Sequence, residues 1–312
     1  MGRRFEPVWA HVFNFKTVKK LWKVIIVKNR ETPFRVVVIG CNGFIGKALT
    51  TELSRLEINH IGLSKEEFNL LDEKASEKLK QIIQPNDHIV FTSAIAPSKS
   101  ATDVQKSIKM VETFASALTD NPCKQVVLIS SDAVYGDRGG MFDEKAPCNP
   151  NSFHGLAQLS REIVLQEQKE LNLAILRVCA VYGEGDTHNG YGPNRFLKQM
   201  KNSEPIKIFG EGLNVRDHIC IEDVVKIIIN SMEINFSGIL NVVSGHSYSF
   251  MEVAQKCQEI FTLNSKIETQ GSEGEILIKQ FNTSRIQELF PKFRTTDLDT
   301  GLRNWKNQVT LP

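Results

Sequence analysis

Three glycines spaced by two residues each, Gly40, Gly43 and Gly46, close the apolar run Val36-Val37-Val38-Ile39. A β-branched run ending in glycine is the pattern of a buried strand entering a tight turn. Gly40 takes the turn, Gly43 lets the backbone approach a pyrophosphate, and Gly46 lets the next helix pack close to the strand. The N–H groups opening that helix, at Phe44 and Ile45, belong to the same anion site. The chemistry expected of this stretch is therefore the binding of a dinucleotide. The six cysteines (Cys41, Cys123, Cys148, Cys179, Cys220, Cys257) are dispersed, and the seven histidines form no ligand-spaced pair. Neither a disulfide framework nor a metal site is expected, and a reducing cytoplasm fits best.

The elements that must position this turn follow from periodicity. Residues 44–57 read as a helix, Asn59 to Leu63 as a strand, His88 to Ser93 as a strand, 103–119 as a helix and Gln125 to Ser131 as a strand. A long helical segment, 152–170, then leads to the strand Leu173 to Val178. Strands alternating with helices imply an α/β fold, a doubly wound parallel sheet of Rossmann type. From about residue 180 the rhythm breaks into short elements rich in Gly and Pro. This half is expected to form a smaller substrate-binding lobe over the carboxyl ends of the strands, with some strands returning to the main sheet. The expected organisation is a basic extension over 1–32, a dinucleotide-binding domain over 33–180 and the lobe over 181–312.

The net charge of +2 hides an asymmetry: residues 1–30 carry eight Lys/Arg against Glu6 alone, leaving 30 basic and 35 acidic residues in the remainder. A mildly acidic body argues against a nucleic-acid partner, because neutralising phosphates needs a basic patch. In the extension, Phe13, Phe15, Val18, Trp22 and Ile25 interleave with Lys16, Lys19, Lys20 and Lys23. That pattern reads as a basic amphipathic helix making peripheral membrane contact, as an extra helix on the domain, or as a stretch upstream of the true start. No segment reaches transmembrane length.

Five segments in order resemble the extended short-chain dehydrogenase/reductase family, in particular its NAD-dependent epimerase/dehydratase group. They are the glycine turn with Thr92-Ser93-Ala94; Ser130-Ser131-Asp132-Ala133-Val134-Tyr135-Gly136-Asp137; Arg177 to Gly183; Ile208 to Gly212 with Val215 to Ile219; and Leu298 to Trp305. The resemblance covers about residues 34 to 306. It implies a nucleotide-sugar substrate, Ser93 and Ala94 beside the cofactor, Ser131 bonded to the reacting sugar oxygen and Arg216 on the diphosphate. It also implies a homodimer formed through helices 103–119 and 152–170.

The chain departs from the pattern where the family places its proton-transfer pair. In the frame of Y-x-x-x-K, the helix at 152–170 carries His154 for Tyr and Gln158 for Lys. Imidazole titrates near neutral pH and can act as a base without a lysine, with Gln158 bonding the nicotinamide ribose. The opposing reading is lost chemistry, since Gln brings no charge; Tyr135, Tyr182 and Tyr191 are the other phenols at hand. At the end of the second strand, Ser64-Lys65 replaces the carboxylate of an NAD-preferring site, which tilts the cofactor expectation from NAD toward NADP. Asn69-Leu70 stands beside the adenine position, and Ala180 replaces a substrate-contacting Asn. The expected function is an NAD(P)-dependent nucleotide-sugar epimerase or ketosugar reductase with an atypical site. The alternatives are a non-catalytic dinucleotide-binding protein of the same fold and a reductase of a non-sugar ketone.

Overall fold

The structure is a computed structural model that describes residues 34–308 apart from residues 120, 187–189, 264 and 273. The basic extension over 1–32 lies outside the described residues. In chain order the first half runs β1 (Val36–Ile39), α1 (Phe44–Arg55), β2 (His60–Leu63), α2 (Ala75–Ile82), β3 (His88–Phe91), α3 (Ala101–Leu118), β4 (Gln125–Ser131), β5 (Gly140–Phe142), α4 (Phe153–Gln166) and β6 (Leu173–Val178). The second half runs β7 (Ala180–Tyr182), α5 (Pro193–Lys201), β8 (Ile206–Phe209), β9 (Val215–Cys220), α6 (Ile221–Glu233), β10 (Gly238–Val242), β11 (Ser247–Ser249), α7 (Phe250–Phe261), β12 (Ile267–Gln270), β13 (Lys279–Phe281), α8 (Ser284–Leu289) and α9 (Leu298–Lys306).

Six strands pair in the order β10-β6-β4-β3-β1-β2, all parallel. Every residue of β1, β3 and β6 is buried, because helices cover both faces of the sheet. On one face Val37, Ile39, Ile89, Phe91, Val126 and Leu128 pack with Leu79 of α2, Phe114 of α3 and Leu165 of α4. Phe91 and Phe114 stack with ring centroids 4.6 Å apart. Each such side chain contributes about 1.5–3 kcal/mol on burial. On the other face α1 packs against α6. The doubly wound sheet is thus as the alternation implied, and its strand order reverses at β1 and β3, which opens a crevice at their carboxyl ends.

The element ends differ from periodicity in instructive ways. The helix expected over 44–57 stops at Arg55, because Glu57 takes a left-handed φ of 59° to turn the chain back toward β2. The helix expected over 152–170 ends at Gln166. Beyond residue 180 the elements are not all short. α6 has 13 residues, opens with Glu222 and Asp223 at its positive end and docks on the sheet. A second, smaller core gathers Tyr182, Phe196, Met200, Ile206, Ile208, Phe261 and Trp305, where β7, β8, α5, α7 and α9 meet. Beside it lies a three-stranded sheet, β11-β9-β7.

Candidate active site

The glycine turn is built from close contacts that admit no side chain at two of its positions. Gly40 has φ +95°, and a Cβ there would lie 2.7 Å from the hydroxyls of both Thr92 and Ser93. A Cβ on Gly46 would lie 2.2 Å from the Gly40 carbonyl oxygen, so only glycine lets α1 start this close to β1. The Gly43 N–H donates to the Gly40 carbonyl at 3.1 Å. Gly43 caps α1 with no side-chain bond, and the first turn carries no acidic residue. The N–H groups of that turn are therefore oriented for an external anion. This cradle fits the pyrophosphate of a dinucleotide. Phe44 is buried beneath it and Ile45 half-buried.

At the end of β2, Ser64 is buried and its hydroxyl meets Glu67 at 3.3 Å, while Lys65 is exposed. Glu66 folds back onto the turn, where its carboxylate accepts from the Asn42 amide at 3.1 Å. Bonds from its own backbone N–H, from Ser64 and from Asn42 hold that carboxylate below its ordinary pKa. Asn69 spends its side chain on a local turn, accepting from the Leu71 N–H at 3.2 Å and donating to Asp72 at 3.0 Å. Leu70 is a core residue.

Across the crevice, β4 ends in Ser131, whose hydroxyl accepts from the Ala133 N–H at 3.1 Å and donates to Asp132 at 3.3 Å. That bond caps a single 3₁₀ turn over Asp132–Tyr135. Lys279, almost wholly buried, pairs with Asp132 at 2.9 Å and donates to its carbonyl at 2.8 Å. α4 begins hard against this turn: a Cβ on Gly155 would lie 2.4 Å from the Ala133 carbonyl oxygen. Ser152 caps the helix by accepting from the Gly155 N–H at 3.1 Å. His154 lies between this cap and the glycine that packs on the turn, in the first turn of α4. One helical turn on, Gln158 is buried and its Oε1 accepts from Arg161. Arg161 also donates to the Ile129 carbonyl at 3.0 Å and to the Ser93 carbonyl at 2.9 Å, tying α4 to the ends of β3 and β4. Ala94 follows Ser93 at the same strand end, half-buried.

Of the phenols of Tyr135, Tyr182 and Tyr191, two are hydrogen-bonded and one is buried in an apolar core. The Tyr135 hydroxyl donates to Asn241 at 2.7 Å and accepts from Arg177 at 3.0 Å, and burial pushes its pKa up. Arg177 in turn grips Glu162 through both carboxylate oxygens, with both side chains nearly inaccessible. Tyr182 is buried in the second core and its pKa is raised by that burial. The Tyr191 hydroxyl accepts from the Phe209 N–H at 3.0 Å.

Alternation along β9 sorts three polar residues. Asp217 points inward and accepts from the Ser244 N–H, the Ser244 hydroxyl and the Gly245 N–H, each at 2.8 Å. Arg216 and His218 share the opposite face. Arg216 pairs with the Asp137 carboxylate. His218 is the register partner of Ala180 on β7. It is buried with neither ring nitrogen in a hydrogen bond, and burial pushes its pKa down to about 4. Arg161, His218, Lys279 and Asp137 were not singled out from sequence as site residues. A charged residue three positions after Gln158 was the one signal that could have drawn attention to Arg161.

The geometry has counterparts. A 28% identical relative, the dTDP-4-dehydro-6-deoxyglucose reductase of Escherichia coli, aligns over 263 residues, 74% of this chain and 82% of that one. The UDP-glucose 4-epimerase of Thermotoga maritima, solved with UDP-glucose, superposes with a TM-score of 0.77 at 21% identity, covering 88% of this chain and 98% of that one. The UDP-glucuronic acid 4-epimerase of Bacillus cereus, solved with UDP-glucuronic acid and NAD, gives a TM-score of 0.74 at 21% identity over 88% and 99% of the two chains. These structural likenesses establish a shared fold. The model of the NAD dependent epimerase/dehydratase family matches residues 36–242. With that match spanning the sheet from β1 to β10, this chain belongs to the NAD-dependent epimerase/dehydratase family.

Proposed function

We propose that the protein is an NAD-dependent epimerase or ketosugar reductase acting on a nucleotide-activated sugar, with His154 and Gln158 standing where the family has Tyr and Lys. The observation that carries this reading is the packing of Gly155 on the Ala133 carbonyl, which seats the start of α4 on the Ser131 turn at the mouth of the crevice. The dinucleotide, when bound at Gly40, Gly43 and Gly46, supplies a centre that accepts a hydride from a sugar carbon and returns it. Ser131 holds the reacting oxygen through its hydroxyl. His154 takes the hydroxyl proton and gives it back, a task that an imidazole, with one donor and one acceptor nitrogen when neutral, can perform. Gln158 orients the cofactor's ribose through its amide. Arg216 exchanges Asp137 for the substrate's diphosphate, a site suited to a planar cation with several donors.

Ser64 and Lys65 alone would favour NADP. The fold of the loop supports NAD instead: Glu66 sets a carboxylate against Asn42 of the glycine turn, and Glu67 engages Ser64. A 2′-phosphate at that corner would meet negative charge. A homodimer through α3 and α4 is supported by Phe153, Leu156 and Ile163, which are exposed along α4 at helical spacing. Among the described residues no helix is long and apolar enough to cross a membrane. The dispersed cysteines support a cytoplasmic location.

The test is incubation of the purified protein with NAD or NADH and a panel of UDP- and dTDP-linked hexoses and 4-keto sugars, with products separated by chromatography. Turnover of one of them is expected, and His154→Ala should lower it by about 10²–10⁴-fold while substrate still binds. Tight dinucleotide binding without hydride exchange across the panel would favour a non-catalytic binding protein. That second reading draws on the absence of the lysine charge at position 158.

A further inference from the structure

The buried guanidinium of Arg161 is the least economical feature of the crevice. It is 1% exposed, and its bonds go to three neutral oxygens: the Ile129 and Ser93 carbonyls and Gln158 Oε1. Its neighbour in sequence, Glu162, bonds to Arg177 and Ser130 and not to Arg161, although its charge still favours the cation, and the Arg161 guanidinium carbon lies 5.3 Å from the centre of the Phe91 ring. Arg161 forms no ion pair among the described residues, yet a buried cation is ordinarily paired because desolvation is costly. Burial lowers its pKa to about 10, which leaves it charged at neutral pH. A purely mechanical tie between α4 and two strand ends does not need a charge.

We propose that Arg161 supplies the positive charge that Gln158 cannot, so that the two side chains together do the work of one lysine. This rests on the reading of Gln158 as a cofactor residue. An arginine has donors and no acceptor, so the Gln158 oxygen must face it. The Gln158 Nε2 donors then point away from Arg161, as ribose recognition requires. Gln158 provides the hydrogen bond and Arg161 provides the field. Arg161 is thus a positioning residue, acting through Gln158 and through charge. The oxidised nicotinamide ring is cationic and the reduced ring neutral, so a buried cation at the ends of β3 and β4 weakens binding of NAD⁺ relative to NADH.

The deciding measurement is the ratio of dissociation constants for NAD⁺ and NADH, by calorimetry and by NADH fluorescence, which needs no turnover. Arg161→Met should shrink the preference for NADH by about tenfold, the effect of one unit charge at roughly 10 Å in a medium of effective dielectric about 20. Gln158→Lys added to Arg161→Met should restore it to within about threefold of the starting ratio. If Arg161→Met does not fold, Arg161→Gln keeps donors for the carbonyls and removes the charge, and the same shift is expected. A purely structural role would weaken both forms together and leave the ratio unchanged, which overturns the proposal. Failure of the unaltered protein to bind either form would instead defeat the dinucleotide reading on which it rests.

Discussion

Gly43 and Gly46 occupy one turn for different reasons, and substituting each by alanine separates folding from binding. At Gly46 the added Cβ would sit 2.2 Å from the Gly40 carbonyl oxygen, nearer by most of an ångström than side-chain carbons approach oxygen. The obstacle is backbone on both sides, so β1 and α1 must move apart; overpacking of this kind costs about 1–3 kcal/mol. At Gly43 the new Cβ meets the same oxygen at 3.3 Å, and the residue already has the ordinary φ of −72°. A few tenths of an ångström of adjustment suffices, and replacing a helix-cap glycine by alanine costs about 1 kcal/mol or less. On the proposed placement of the dinucleotide, the Gly43→Ala methyl nevertheless stands where the pyrophosphate approaches the backbone. Urea denaturation followed by circular dichroism should give a near-normal midpoint for Gly43→Ala and a clearly lowered one for Gly46→Ala. Calorimetric titration with NAD should show at least about a tenfold loss of affinity in both, since misplacement of this order is costly. Undiminished NAD binding by folded Gly43→Ala would refute the cradle, and an unaltered midpoint for Gly46→Ala would refute the close packing of α1 on β1.

Two further outcomes follow from buried charge. The His218 imidazole has a folded pKa of about 4, against about 6.5 unfolded, so the unfolded chain binds more protons between those values. Stability should therefore be fully present above pH 6.5 and fall by about 3 kcal/mol as pH drops toward 4. His218→Phe should flatten that slope in urea midpoints taken across the range, and an unchanged slope would exclude His218 as its source. Glu162→Met leaves Arg177 buried without its carboxylate and should cost about 3–5 kcal/mol, whereas Glu162→Met with Arg177→Met should recover much of the loss. Equal destabilisation of the single and double variants would mean that the pair is not the coupled unit its geometry describes.

The alternation of apolar strands and helices, the glycine spacing and the order of the motifs were legible because each expresses local backbone geometry. A parallel strand buried on both faces must be apolar throughout, and a turn held against a helix start must be glycine wherever a Cβ would strike a carbonyl. The helix boundaries were less legible, since the left-handed Glu57 ends α1 without a glycine to announce it. α2 and α6 were missed inside polar or mixed stretches whose helical form depends on docking to the sheet.

By itself the sequence determined the alternation that builds the sheet and the glycine turn between its first strand and helix, and it carries the expectation that His154 and Gln158 stand where the family has Tyr and Lys. Only the tertiary structure decided which side chains meet across the crevice. Arg161 reaches Gln158 from one turn away but reaches Ser93 across 68 residues, Glu66 reaches Asn42 across 24, and His218 lies beside Ala180 through strand pairing. Spacing rules cannot forecast such contacts, because a side chain's partner across the fold is set by where whole strands and helices come to rest.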